Sequence, residues 1–79
     1  MAWNCDVSLE PGNVYVEVWH TGTDIVDVAM LVTQAQVLAE EYGLVLVPKT
    51  QVDYVQPQRK PEHYKRVLRV YGYPKSEAA

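Results

Sequence analysis

At 79 residues the chain has room for one domain, residues 1–79, with a core so small that a second copy or a partner would help it. With 48% hydrophobic and 22% charged residues it is not a disordered chain, and its longest apolar run, residues 28–32, falls far short of a membrane span. The net charge of −3 hides a partition: Asp6, Glu10, Glu17, Asp24, Asp27, Glu40 and Glu41 all precede the first base, Lys49, and five of the seven bases fall within residues 59–69. Such asymmetry speaks of a partner, or of how two halves meet, and not of a reaction.

Residues 5–10 alternate apolar and polar and predict a short strand. Pro11, Gly12 and Asn13 mark a turn, and residues 14–20 alternate again, with Val14, Val16 and Val18 on one face and Tyr15, Glu17 and Trp19 on the other. Two alternating runs about a Gly-containing turn predict a β-hairpin. Thr21, Gly22 and Thr23 break the second strand. Thr23 or Asp24 is placed to cap a helix running to about Tyr42, with Asp24 and Asp27 in its first turn and Gly43 positioned to end it.

Residues 44–47 are continuously apolar and predict a buried strand. After Pro48, Lys49 and Thr50, residues 51–55 resume a strand-like pattern, either as the same strand bulged or as a short return. Residues 56–62, with two prolines and two bases, predict an exposed loop. Residues 64–73 form the last strand, with Val67, Arg69, Tyr71 and Tyr73 on one face and Arg66, Leu68 and Val70 on the other. Pro74 ends it, and residues 75–79 predict a frayed tail. The order β-β-α-β-β predicts an α+β fold with one helix packed on one face of a mostly antiparallel four-stranded sheet.

The helix carries two apolar stripes. Ile25, Val28, Leu31, Val32, Ala35, Leu38, Ala39 and Tyr42 gather on one broad arc, the expected core face. Val26, Met30, Thr33 and Val37 line the far side, edged by Gln36 and Glu40 and by Asp27, Gln34 and Glu41. A sheet covers only one side of a helix, so the second stripe predicts a protein-binding surface made of Val26, Met30, Val37, Asp27, Glu40 and Glu41. A second copy seated there would make a homodimer. The competing reading is that the segment around Trp3 folds across the stripe, or that scattered apolar side chains need no cover.

Arg59, Lys60, Tyr64, Lys65, Arg66, Arg69 and Tyr71 interleave cations with rings, the mixture with which proteins meet phosphates and stack bases. The excess of carboxylates opposes that use. The competing structural reading pairs Arg66 or Arg69 with Glu17 or Glu10 across neighbouring strands, worth about 0.2–1 kcal/mol each.

Catalytic chemistry finds little support. Cys5 has no cationic neighbour in sequence and predicts an idle thiol, and its solitude excludes an intrachain disulfide. His20 and His63 lack zinc-ligand spacing, and no phosphate-cradling Gly loop occurs. The expectation is no enzyme, no cofactor and no metal. The first residues show neither a cationic start nor an apolar run, so no signal peptide is expected and the cytoplasm is the expected location. The sequence thus predicts a non-catalytic protein-interaction module of inhibitor or adaptor type. Phage and accessory-gene products offer analogies of size and architecture only. Binding of single-stranded nucleic acid through residues 59–73 is the alternative.

Overall fold

The alternating runs on either side of Pro11 and Gly12 pair with each other. In the computed structural model, which describes residues 2–22, 26–57, 59 and 64–77, β1 (Ala2–Glu10) and β2 (Asn13–Gly22) form an antiparallel hairpin. Its register runs from Ala2 opposite Thr21 to Glu10 opposite Asn13. Next come α1 (Val28–Glu41), β3 (Leu44–Leu46), β4 (Val52–Pro57) and β5 (Tyr64–Pro74), with 3-10 turns at Pro48–Thr50 and Lys75–Glu77.

β5 is the axis of the sheet. One flank pairs with β2, placing Glu17 opposite Arg69 and Trp19 opposite Val67. The other flank is shared: β4 runs along the first part of β5 and β3 along its end, all antiparallel. The class and order are those expected. The residues after Pro48 take the short-return option, so the sheet has five strands where the sequence suggests four.

Two devices let β3 and β4 share one flank. In the gap between them Tyr71, paired with Tyr15 on the β2 side, has no strand partner on this flank, and Thr50 takes that place. The Thr50 hydroxyl accepts from Tyr71 N–H at 2.9 Å and donates to the Val47 carbonyl at 2.7 Å, while Val47 N–H donates to the Tyr71 carbonyl at 2.9 Å. At Gly72 the β3 backbone passes so close that a Cβ would overlap the Val45 carbonyl oxygen. Only glycine fits there.

α1 crosses β2, β5 and β3 on one face of the sheet. Its Leu31, Ala35 and Ala39 meet Val16, Val18, Leu68 and Val70, with Val26 and Leu44 completing the buried cluster. The helix is shorter than the sequence suggests. Asp27 is its N-cap, accepting from Met30 N–H at 3.1 Å, so helical spacing does not extend back to Val26. The proposed caps Thr23 and Asp24, and Ile25, lie outside the described residues. Gly43 does end the helix, with φ of 64°. Tyr42, expected in the core, is the C-cap and half exposed, because the chain is already turning away from the sheet there. Lys75, placed in a frayed tail by sequence, opens a 3-10 turn instead. Its N–H donates to the Gly43 carbonyl at 2.8 Å, and its ammonium meets Glu40 at 2.8 Å.

Candidate protein-interaction surface

The outward stripe of α1 is narrower than its sequence suggests. Val26 is only 5% exposed, because it precedes the helix and turns into the core. Its carbonyl accepts from Arg66 Nη1 at 2.9 Å. Asp27 is spent as the cap, and Glu40 meets Lys75. Met30 and Val37 do face outward, 48% and 50% exposed, with Thr33 between them and Glu41 beyond. Trp3 does not cover them: it sits in β1, packs against the core cluster and lies edge-on to the buried His20 ring at 5.0 Å.

The basic, aromatic segment divides between the two faces of the sheet. Arg66, on the helix side, makes a two-pronged pair with Asp53 of β4, Nε to Oδ1 at 3.2 Å and Nη2 to Oδ2 at 2.8 Å. That pairing and its hydrogen bonds push the guanidinium pKa up, although Asp53 replaces the Glu10 or Glu17 expected from sequence. Arg69 fulfils the cross-strand expectation. Its Nε lies 2.8 Å from Glu17 Oε2, directly across the ladder, and its guanidinium covers the Tyr15 ring at 4.1 Å. Hydrogen bonds to the Tyr71 hydroxyl and to Glu17 raise its pKa.

On this helix-free face Lys65 lies over Trp19 at 4.8 Å, and Tyr15 meets Tyr71 edge-on at 5.6 Å. The Tyr15 hydroxyl donates to Asp6 at 3.3 Å. Loss of hydration, followed by the Asp6 charge, raises its pKa above 10.0. Tyr64 and Arg59 are exposed, and Lys60 and His63 lie outside the described residues. The cations described inside β5 are therefore spent on neighbours within the fold. Among the described residues no group of three His, Cys, Asp or Glu is arranged to hold a metal ion, and Cys5 is exposed on β1.

Sequence reasoning missed the surface that the fold makes most prominent. Among the described residues β4 pairs with β5 alone, and no other described strand runs along its outer side. Val52 and Tyr54 project from the helix-free face and Val55 from the other; they are 49%, 46% and 51% exposed. α1 packs mainly on β2, β3 and β5. The signal was present in the sequence, since Val52, Tyr54 and Val55 put apolar residues on both faces of one short strand. A strand covered on neither face has no internal use for that pattern.

No protein-family model matches the chain, and neither does any curated protein or solved structure.

Proposed function

We propose that the chain is a non-catalytic protein-binding module that captures an extended segment along the outer edge of β4. The observation that carries this reading is the strand bearing Val52, Tyr54 and Val55, all about half exposed, along whose outer side no other described strand runs. A row of free backbone donors and acceptors supplies affinity in strand addition, and side chains alternating to either face supply specificity. Full burial of a Val-sized side chain is worth about 1.5–3 kcal/mol, so half of that remains to be gained at each of these positions. The Met30 and Val37 stripe offers two such side chains and no backbone edge, which places it second. Single-stranded nucleic acid is a weaker candidate again, since Arg66 and Arg69 already serve Asp53 and Glu17.

The test is affinity capture from cells that encode the chain, with an untagged copy co-expressed, using wild type, Val55→Lys and Met30→Asp as baits. A protein retained by wild type and by Met30→Asp but lost with Val55→Lys supports β4. Loss with Met30→Asp alone returns the site to the helix. Recovery of nucleic acid without protein overturns the reading.

A further inference from the structure

Independently of β4, we infer that the helix side of β1, alongside α1, seats a basic amphipathic helix of a partner protein. Trp3, Cys5, Val7 and Leu9 stand opposite His20, Val18, Val16 and Val14, on the side of the sheet where α1 lies. Asn4, Asp6, Ser8 and Glu10 take the other side. A strand with one apolar face belongs in a sheet whose face is covered. Here the cover stops short. α1 packs mainly on β2, β3 and β5, so Trp3 and Val7 are only half-buried, Cys5 is exposed and Leu9 is 56% exposed.

The neighbouring flank of α1 continues this apolar floor. Gln36, Ala39 and Glu40 line the β3 side of the helix together with Leu44 and Leu46. Helical spacing therefore turns Leu38, Glu41 and the cap Tyr42 toward the hairpin, and Tyr42 is half exposed. Leu9 also lines a cleft of about 470 Å³ with Pro11, Val14, Gly72, Pro74 and Glu77, where the hairpin turn meets the end of β5. The result is a trough with β1 as its floor and α1 as one wall. A sheet face beside a helix is covered by a second helix packed against the first.

Charge selects whose helix that is. β1, β2 and α1 hold no Lys or Arg, and among the described residues Glu10, Glu41 and Glu77 meet no cation. A second copy would bring α1, which carries Glu40 and Glu41 and no base, and would set carboxylate against carboxylate. A partner helix with Lys or Arg along the margins of its apolar face meets Glu41 on the α1 wall and Glu10 and Glu77 at the Leu9 end. The acids gathered in the first half of the sequence then form much of the rim of this seat.

The probe is a fluorescein-labelled leucine–lysine peptide of about 18 residues, long enough to form a helix with one apolar face. A second peptide replaces lysine by glutamate, and a third scrambles the order. In anisotropy titrations the leucine–lysine helix should bind the wild-type chain. Its dissociation constant should rise about tenfold with Leu9→Ser, which removes the exposed half of an apolar side chain, and several-fold with Glu41→Lys. Val55→Lys and Met30→Asp should leave it unchanged, and every variant should keep the amide spectrum of a folded chain. Amide shifts on binding should centre on residues 5–9 and 38–42. No binding, equal affinity for the scrambled or glutamate peptide, or shifts centred on Met30 and Val37 or on β4 would overturn the inference. Self-association of the wild-type chain that Leu9→Ser abolishes would overturn it too, giving the trough to a second copy.

Discussion

Thr50→Val removes one hydroxyl and nearly nothing else, at the point where β5 changes partners. The hydroxyl accepts from Tyr71 N–H at 2.9 Å and donates to the Val47 carbonyl at 2.7 Å. That carbonyl also accepts from Thr50 N–H at 3.0 Å, so it keeps a partner. Tyr71 N–H does not, and a part-buried donor left alone costs about 1–3 kcal/mol. The expected loss is about 2 kcal/mol. At about 4–8 °C per kcal/mol for a domain of this size, Tm should fall by about 8–16 °C at fixed protein concentration. Thr50→Ser keeps the hydroxyl and should lose much less. Thermal unfolding by circular dichroism measures both, and hydrogen exchange at the Tyr71 amide should accelerate in Thr50→Val alone. A Thr50→Val Tm within about 2 °C of wild type, or equal losses in the two variants, would refute the role assigned to the hydroxyl.

Gly72→Ala should cost about 1–3 kcal/mol in urea unfolding, because its Cβ would overlap the Val45 carbonyl oxygen and lie 3.1 Å from the carbonyl carbon, forcing β3 outward. Since the Tyr15 pKa is raised in the fold, the native state binds the extra proton above pH 10.0. Stability should therefore hold below that pH and decline as pH rises through the folded pKa. An ultraviolet titration at alkaline pH should show Asp6→Asn bringing Tyr15 back toward its ordinary value. Val26→Asp places a carboxylate in the core and should unfold much of the population, whereas Met30→Asp should change stability by no more than about 0.5 kcal/mol. Chemical denaturation of the two separates a buried Val26 from an outward one.

The parts of the fold legible in the sequence are those governed by short-range pattern. Val14, Val16 and Val18 alternate with Tyr15, Glu17 and Trp19, and that period is the hairpin; Gly43 is the helix end. Glu17 opposite Arg69 could also be anticipated, since the charge partition places the two signs on strands that become neighbours. Positions decided by tertiary context could not. Val26 fits the outward helical spacing and is buried because the helix starts two residues later, at Val28. Arg66 meets Asp53 and not Glu17 because Arg66 and Asp53 share the helix side of the sheet, whereas Glu17 projects with Arg69 from the other face. β4 itself was legible as a strand, but its exposure depends on how far α1 reaches across the sheet, and no local pattern encodes that. The acidic stripe expected on the helix thus reduces to Met30 and Val37, and the larger apolar surface lies at the sheet edge.

Amide spectra of the uniformly labelled wild-type chain, recorded with and without the protein that affinity capture recovers, test the β4 reading most directly, since they report every backbone position at once. Shifts centred on residues 52–55, with Met30, Thr33 and Val37 unmoved, are the expected result. Shifts centred on the outward helix face, with residues 52–55 unmoved, would contradict capture at β4.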